Sequence, residues 1–346
     1  MIGVVCGLAL EVAIRLYARA TVFTLEDWRG AGGTILQGAG VYHPQLGWTQ
    51  ASNLKGPGFN TLDHGIRKNS KAEEKLDQGA ILAVGDSFTA GSEVVDEDTW
   101  PAQLERLIGR RVINAGVGGY GVDQAVLNAE RLLPELVPKL VLVGIYEDDI
   151  DRSGYKIYNA PKPYFVKEDG KWVHRHSPVP ARRRPVQESI YKTILSRSLA
   201  ASIFFNKVAR DWWYESKDAQ YVRSGANSTE VSCYMLGRLQ ERLKAAGIPG
   251  IVVVQYNGRH YAIRRPVDPH VTGTIQCAKE LGYAVVDEHP RIAAIREQSL
   301  DEVKKLYVMH PNEAYGHMSP AGNKLIAGMI AEKITQMPSL SAVIGR

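Results

Sequence analysis

The sequence predicts an α/β fold in which a mostly parallel sheet of five strands is covered by helices on both faces. Short apolar segments alternate with segments of helical periodicity, and glycine or proline residues separate them. The chain is long enough for one large α/β domain with insertions, or for two smaller domains. The predicted strands cover residues 81–84, 111–114, 140–146, 250–256 and 283–287.

The helices predicted around these strands carry apolar residues at helical spacing. Pro134 and Pro138 are expected to end the second helix. Ser319 and Pro320 are a favourable start for the last helix, because serine is a good N-cap and proline is tolerated in the first turn. The predicted helices cover residues 100–108, 123–133, 230–246, 271–281 and 320–336.

The chain is expected to divide into three parts. Residues 1–20 form an N-terminal membrane anchor or docking helix, and residues 21–78 form an irregular lead-in punctuated by glycine-rich segments. Residues 79–340 form the main domain. It carries an insertion at about 151–228 that is rich in Pro, Tyr, Trp and basic residues. Helical apolar spacing within the insertion fits a lid, a membrane-surface element or an ordinary core helix.

The N-terminal segment allows several interpretations. Residues 2–10 are apolar, but Glu11 interrupts them. A helix that crosses a membrane needs about 20 apolar residues, so this segment is too short on its own. The end of a signal anchor, the core of a signal peptide and an amphipathic docking helix all remain open.

Charge and cysteine content argue against two kinds of protein. The formal net charge of +5 is mild and spread along the chain, and the dense basic run at 182–184 is interpreted as a solvated loop. No nucleic-acid partner is therefore expected. Cys6, Cys233 and Cys277 are far apart, odd in number and without metal-ligand spacing. Free thiols are expected, with no disulfide framework and no zinc site.

The most informative segment is 81–89, in which an apolar strand ends abruptly in Gly-Asp-Ser-Phe-Thr. Open α/β sheets bind their ligands at the carboxyl edge, so Ser87 is a candidate nucleophile. An acyl-transfer serine also needs a base, a group that orients the base, and donors for the oxyanion. Taken alone, Gly-Asp-Ser is also found at helix N-caps, where it has a structural role only.

Two further strand ends carry candidate polar groups. Residues 114–121, Asn-Ala-Gly-Val-Gly-Gly-Tyr-Gly, form a glycine-rich turn whose N–H groups can face a ligand. The turn lacks the Lys-Ser/Thr end of a phosphate-binding loop. Residues 147–151 place four acids at the end of the third strand. A divalent cation and a solvated loop are both possible there, but no distant acidic cluster matches this run, and no metal ion is expected.

A histidine from the far end of the chain is predicted to complete the site. His317 directly precedes the last helix, on a loop that can reach the sheet edge. His310 lies close by and is the weaker candidate. The central prediction is therefore that the hydroxyl of Ser87 touches the imidazole of His317.

Taken in order, these blocks resemble the SGNH/GDSL hydrolase superfamily, and most closely its bacterial members linked to cell-surface polysaccharides. The resemblance covers roughly residues 78–336 and implies a three-layer α/β/α sandwich of the flavodoxin-like type. It implies ester or acyl chemistry without an organic cofactor, with Ser87 as nucleophile, His317 as base and Gly119 as an oxyanion donor. It also implies a bacterial cell-envelope location, membrane-anchored or periplasmic, with a membrane tether at the N-terminus. The matching blocks are residues 85–89, 114–119, 148–149 and 317 with 319–323.

The chain departs from this family at two positions. The family's third block has an asparagine whose amide donates to the oxyanion, and this chain has Asp148 there. A carboxylate repels an oxyanion unless burial keeps it protonated, and Asn257 at the end of the fourth strand is an alternative donor. The family's triad aspartate is replaced by Ala314. Glu313 or a backbone carbonyl is expected to orient His317 instead.

The predicted function is that of a serine esterase or O-acyltransferase acting on acyl esters, acetyl esters above all, of a carbohydrate or another small molecule. Water or a sugar hydroxyl can accept the acyl group, so hydrolysis and transfer remain alternatives. A different interpretation is a catalytically impaired binding or assembly module in polysaccharide biosynthesis or export, because both departures fall on catalytic positions. A metal-dependent phosphoesterase using the acids at 147–151 is a third, weaker interpretation.

Overall fold

The structure is a computed structural model, which describes residues 2–17, 40–70, 75–181, 190–209, 221–311 and 313–337 of the 346-residue chain. Its strands are, in chain order, β1 (Gly40–His43), β2 (Gly47–Gln50), β3 (Ile81–Gly85), β4 (Val112–Gly116), β5 (Leu140–Tyr146), β6 (Tyr155–Tyr158), β7 (Ala160–Pro161), β8 (Tyr164–Glu168), β9 (Lys171–Arg175), β10 (Tyr221–Arg223), β11 (Gly250–Gln255), β12 (Ala284–Asp287), β13 (Tyr307–Met309) and β14 (Tyr315–Met318).

The helices follow the same order. They are α1 (Ile2–Tyr17), α2 (Ser87–Ala90), α3 (Trp100–Ile108), α4 (Val122–Leu136), α5 (Glu147–Arg152), α6 (Ile190–Leu195), α7 (Leu199–Val208), α8 (Ser228–Ala245), α9 (Gly258–Ala262), α10 (Pro269–Glu280), α11 (His289–Gln298), α12 (Leu300–Lys305) and α13 (Pro320–Gln336).

A parallel five-stranded sheet with the order β12-β11-β5-β3-β4 forms the centre of the molecule. The connection through α3 runs outward from β3 to β4, whereas the connection through α4 runs back across β3 to β5. Because such crossovers are right-handed, α3 and α4 lie on opposite faces. α13 packs with α3, and α8 packs with α4 and α10. The predicted three-layer α/β/α fold is confirmed.

The sequences of these strands are continuous apolar runs, because helices cover both faces of the sheet. All seven residues of β5 and all six of β11 are buried. The helix that follows β4 differs from its prediction, since it continues through Pro134 to Leu136 and is followed by its C-cap residue Val137, where φ is +41°. Proline removes one helical hydrogen bond, and the buried Leu132 and Leu136 continue to pack beyond it.

The lead-in is not irregular throughout, which corrects the prediction. Residues 40–50 form the hairpin β1–β2, and the segment 40–70 buries the side chains of Leu46, Trp48 and Ile66 in the core of the main domain. This part of the lead-in is therefore integral to the domain. Residues 18–39 lie outside the described part of the chain, as does the predicted basic loop at 182–184.

The N-terminal helix α1 packs against α7 of the insertion. The carboxylate of Glu11 accepts hydrogen bonds from the Ser198 hydroxyl at 2.7 Å and from the N–H groups of Leu199 at 2.8 Å and Ala200 at 3.0 Å. Glu11 thus supplies acceptors for the free N–H groups at the start of α7. Within the described ranges, we find no helix that combines the length and the apolar character needed to cross a membrane.

Two of the three cysteines form a disulfide, so the expectation of free thiols is wrong for them. Cys233 lies on α8 and Cys277 on α10, and their Cα atoms are 6.0 Å apart. The pairing arises because these two helices pack side by side on the same face of the sheet. Their sequence separation of 44 residues carries no sign of that packing.

Candidate active site

Ser87 stands at the carboxyl end of β3, as predicted. β3 ends at Gly85, and Asp86 is the N-cap of the short helix α2, where its Oδ1 accepts from the Phe88 N–H at 2.8 Å. Ser87 is the first residue of that helix and is half-buried. Strand and N-cap together fix the backbone of Ser87 at the sheet edge while leaving its hydroxyl accessible.

The predicted contact between Ser87 and His317 is present. The distance from Ser87 Oγ to His317 Nε2 is 2.9 Å. His317 lies in β14, the second strand of a short antiparallel hairpin with β13, rather than on an irregular loop. Pairing within this hairpin holds the imidazole more firmly than a loop would.

Glu93, rather than the predicted Glu313, orients the histidine. Glu93 Oε2 lies 2.6 Å from His317 Nδ1 and also accepts from the His317 N–H at 2.7 Å. Since an ionised carboxylate can only accept, Nδ1 carries the proton and Nε2 presents its lone pair to the Ser87 hydroxyl. Glu313 is exposed, and its N–H donates to the carbonyl of His310. A backbone carbonyl is not needed in this role.

His310, the weaker histidine candidate, also belongs to the site. Its Nε2 lies 3.0 Å from Glu93 Oε1, so the two oxygens of Glu93 face two different imidazoles. The hydrogen bond from His317 holds the pKa of Glu93 below its ordinary value, against partial burial, and the charges of His317 and His310 act in the same direction. Glu93 is therefore ionised when His317 acts as a base.

A buried arginine from the lead-in holds the loop that carries Glu93. The guanidinium of Arg67 is 3.0 Å from Asp96 Oδ1, and both side chains are almost completely buried. Glu93 has φ +71°, a left-handed conformation that non-glycine residues adopt only when their surroundings impose it. Arg67 is the main constraint on this loop, because it donates to the carbonyls of Gly58, Ala90, Gly91 and Val94.

The glycine-rich turn after β4 supplies free backbone donors. Gly119 is buried with φ +78°, and its N–H donates to no other residue in the described part of the chain. Trp48 of the lead-in fixes the turn, because its Nε1–H donates to the Gly118 carbonyl at 3.0 Å. The Tyr120 hydroxyl donates back to the Trp48 carbonyl at 2.6 Å. The turn can therefore present an N–H to an oxyanion without rearranging.

Asp148 is the second residue of α5, on the rim of the site, and is exposed as a whole. Partial desolvation of its carboxyl raises its pKa above the ordinary value. The positive charge of Arg152 lowers the pKa of Asp148, whereas the nearby carboxylates of Glu147 and Asp86 raise it further. The raised pKa increases the protonated fraction of Asp148, which is the form able to donate a hydrogen bond.

The other acids of the run at 147–151 are used within the protein. Their partners are His260 for Glu147 at 3.2 Å, Arg152 for Asp149 at 2.7 Å and Arg223 for Asp151 at 2.7 Å. Among the described residues, no group of three or more His, Cys, Asp or Glu side chains is arranged to hold a metal ion. These three acids are therefore held by side chains of the protein itself.

Arg152 controls the second acceptor near the nucleophile. Ser87 Oγ lies 3.2 Å from Asp86 Oδ2, and the Arg152 guanidinium lies 2.9 Å from the same oxygen. Arg152 also contacts Asp149, whose pKa is raised well above its ordinary value by burial and by the Asp86 carboxylate. By engaging Asp86, Arg152 leaves His317 as the better acceptor for the hydroxyl proton of Ser87.

The structure does not bring Asn257 to the nucleophile. Asn257 caps α9 through its Oδ1, which accepts from the Arg259 N–H at 2.8 Å, and its backbone N–H donates to Glu147 Oε1 at 3.0 Å. Among the described residues, it forms no hydrogen bond with Ser87 or His317. Its side chain therefore serves as a helix cap.

Comparison with known proteins gives relationships at the level of fold. No family model and no curated protein matches the chain. It is similar to a protein described as lipolytic, of the G-D-S-L family, from Desulfitobacterium hafniense, with 14% identity and a TM-score of 0.38 over 74% of this chain and 99% of the other.

Two further neighbours have the same character. An acetyl xylan esterase is 11% identical with a TM-score of 0.42, over 74% of this chain and 99% of the other. The esterase EstA from Pseudoalteromonas is 13% identical with a TM-score of 0.41, over 75% of this chain and 98% of the other. At these identities the likeness concerns the fold alone.

Proposed function

We propose that this chain is a serine esterase of the SGNH/GDSL superfamily, acting on acyl esters, acetyl esters above all, of a carbohydrate. The observation that carries the proposal is the hydrogen-bonded series Ser87–His317–Glu93, with distances of 2.9 Å and 2.6 Å. A nucleophile, a base and an orienting carboxylate in this arrangement are what acyl transfer requires. The carbohydrate follows from the resemblance of the sequence blocks to polysaccharide-linked members.

In the acylation step, His317 Nε2 takes the hydroxyl proton of Ser87, and Oγ forms a bond to the ester carbonyl carbon. The carbonyl oxygen becomes an oxyanion, which accepts from the N–H groups of Ser87 and Gly119. Glu93 stabilises the imidazolium. When the tetrahedral intermediate collapses, the bond to the alcohol oxygen breaks, and His317 returns the proton to the leaving alcohol.

In the deacylation step, His317 takes a proton from water, and the water oxygen forms a bond to the acyl carbon. The bond between that carbon and Ser87 Oγ then breaks, His317 returns the proton to Oγ, and the carboxylic acid is released. A sugar hydroxyl in place of water gives transfer instead of hydrolysis. Both acceptors use the same base and the same oxyanion donors. The proposal therefore covers an esterase and an O-acyltransferase, and the acceptor that reaches the acyl-enzyme decides between them.

The disulfide supports a location in the cell envelope. Bonds such as Cys233–Cys277 persist in oxidising compartments such as the bacterial periplasm and are rare in the cytosol. We therefore extend the proposal to a periplasmic or membrane-anchored protein. Alkylation of free thiols in cells before lysis tests it, because Cys233 and Cys277 should escape modification there.

The decisive experiment measures hydrolysis of p-nitrophenyl acetate and labelling by a fluorophosphonate probe. The Ser87→Ala variant should lose both, and Ser299→Ala, which removes a serine at the N-cap of α12, should retain both. A folded wild-type chain that neither reacts nor labels would instead favour the catalytically impaired binding module.

A further inference from the structure

A cluster of three tyrosines lies on the insertion beside the active site, and the proposed reaction does not use it. Tyr155 and Tyr158 come from β6, and Tyr221 comes from β10. The ring centroid of Tyr158 lies 5.7 Å from that of Tyr155 and 5.0 Å from that of Tyr221. The centroids of Tyr155 and Tyr221 are 6.3 Å apart, and all three rings are inclined to one another. We call these three residues the tyrosine face.

A β-bulge places the three rings on one side of their small sheet. Tyr221 pairs with Tyr158 and Arg223 with Tyr155, so Lys156 has no partner of its own on β10. In a regular strand, residues three apart point to opposite faces. The extra residue shifts the alternation and turns Tyr155 to the side of Tyr158. Bulges of this kind are common beside functional sites, where they re-aim a side chain.

The tyrosine face is connected to the nucleophile by a continuous series of ring contacts. Phe88, the neighbour of Ser87, stacks on Tyr146 at 4.3 Å. The guanidinium of Arg152 lies 5.5 Å from the Tyr146 ring and 5.4 Å from the Tyr158 ring. These contacts place the tyrosine face beside the nucleophile, linked to it through Tyr146 and Arg152.

The chemistry of the tyrosine face combines aromatic surface with charged groups. Tyr155 and Tyr158 are half-buried, and 36% of Tyr221 is exposed. Arg223 lies 4.2 Å above the Tyr155 ring and pairs with Asp151. A sugar has apolar C–H faces that can pack on rings and hydroxyls that can bond to such groups. A long acyl chain would instead cover charged groups without satisfying them, which costs free energy.

We propose that the tyrosine face binds the carbohydrate portion of an acylated oligosaccharide whose ester lies at Ser87. The inference rests on the proposed function and specifies its substrate as an oligosaccharide that extends beyond the acylated sugar. Small esters such as p-nitrophenyl acetate do not reach the tyrosine face, so they serve as an internal reference.

The kinetic test compares Tyr221→Ala, Tyr221→Phe and Tyr191→Ala. Tyr191 is an exposed tyrosine on α6 of the same insertion and is the matched control. Tyr221→Ala should raise KM for acetylated xylo-oligosaccharides by about threefold to tenfold, as expected for the loss of one aromatic contact. It should leave p-nitrophenyl acetate kinetics unchanged. Tyr221→Phe, which keeps the ring, and Tyr191→Ala should behave like the wild type.

A binding test separates this inference from the proposed function. The Ser87→Ala variant is titrated calorimetrically with acetylated xylo-, manno- and chito-oligosaccharides, with and without Tyr221→Ala. Weaker binding of any of these sugars in the double variant supports the tyrosine face even if the wild type proves inactive. The inference is overturned if none of these sugars binds, or if they bind equally to both variants. It is also overturned if Tyr221→Ala impairs turnover of p-nitrophenyl acetate as much as turnover of the acetylated oligosaccharides. A KM increase confined to long-chain acyl esters also overturns it.

Discussion

Glu93 Oε2 accepts two hydrogen bonds from His317, one from Nδ1 at 2.6 Å and one from the backbone N–H at 2.7 Å. Glu93→Gln replaces an acceptor by a group that can also donate, so it weakens control of the imidazole tautomer. We expect kcat for p-nitrophenyl acetate to fall by about 10²–10⁴ with KM little changed, since loss of a triad acid costs up to about 10⁴.

Glu313→Gln is the matched control for this change. Glu313 is exposed and lies close to the histidine in sequence, as a triad acid of the family would. The Glu313→Gln variant should retain the kcat of the wild type. A larger loss in Glu313→Gln than in Glu93→Gln would contradict the assignment of the orienting carboxylate.

Asp148→Asn introduces the amide found at this position in the SGNH/GDSL family, which the sequence blocks resemble. The ionised carboxylate of Asp148 repels a developing oxyanion, whereas an amide donates to it. We expect kcat for a small ester to rise by about tenfold or more at a pH where Asp148 is ionised. The pKa of Asp148 is raised, so its protonated fraction persists to a higher pH than that of an ordinary aspartate and is lost as the pH rises.

The ratio of variant to wild-type kcat should therefore grow with increasing pH. The measurement is a pH series on both proteins with p-nitrophenyl acetate, and Asp151→Asn is the control on the same helix. A ratio that does not change with pH would show that the charge at position 148 does not reach the oxyanion.

Gly316 allows Glu93 and His310 to meet. A Cβ at this position would lie 2.6 Å from Glu93 Oε2 and 2.8 Å from His310 Nε2. Gly316→Ala should displace the orienting carboxylate and lower kcat by about tenfold to a hundredfold, because such displacements are costly in catalysis.

Gly328→Ala is the control for this substitution. Gly328 lies on α13, and a Cβ there would meet nothing within 4 Å. It should leave kcat unchanged and keep or raise the melting temperature. Wild-type kcat in Gly316→Ala would mean that the carboxylate tolerates the shift and that its position is not critical.

The disulfide should contribute to stability more than to catalysis. Its two helices carry none of the residues of the Ser87–His317–Glu93 series, and the bond closes a loop of sequence separation 44. We expect Cys233→Ser with Cys277→Ser to lower the free energy of unfolding by about 4 kcal/mol, with little change in kcat. Urea denaturation of the wild type, the double variant and the control Cys6→Ser measures the free energy of unfolding. Equal stability of all three proteins would be incompatible with a bond that constrains the unfolded chain.

Contact between α1 and α7 should weaken in acid. Burial would raise the pKa of Glu11, but hydrogen bonds from the Ala200 N–H, Ser198, the Leu199 N–H and Arg15 lower it to about 2 from 4.5. A carboxyl with a depressed pKa stabilises the folded state fully above its ordinary pKa. The stabilisation is lost as the pH falls through the lower value.

Hydrogen exchange at the first amides of α7 checks this dependence. Protection should decrease as the pH falls from about 4.5 towards about 2, after correction for intrinsic exchange rates. In Glu11→Gln, which cannot ionise, protection should be weaker and should not change over this range. Equal protection across the range in the wild-type chain would disprove the role of Glu11.

The sequence alone was sufficient to predict the central sheet and two residues of the candidate site, Ser87 and His317. β5 and α13 were predicted at their observed bounds, because continuous apolar runs and clear caps are local signals. Ser87 and His317 were predictable because each lies at an element boundary with a recognisable pattern. Glu93 was missed since its role depends on a left-handed loop conformation that Arg67 imposes from outside the segment. The disulfide was missed because only the packing of α8 on α10 brings its cysteines together.

Both loops that complete the site are held by side chains from the part of the chain before the central sheet. Arg67 fixes the Glu93 loop, and Trp48 fixes the Gly118–Gly119 turn. A shortened protein that starts at β3 would keep every group that takes part in the proposed reaction. It would nevertheless lose the hydrogen bonds by which Arg67 holds the Glu93 loop and Trp48 holds the Gly118–Gly119 turn. The smallest active unit must therefore begin before Trp48, well ahead of the first residue that performs chemistry.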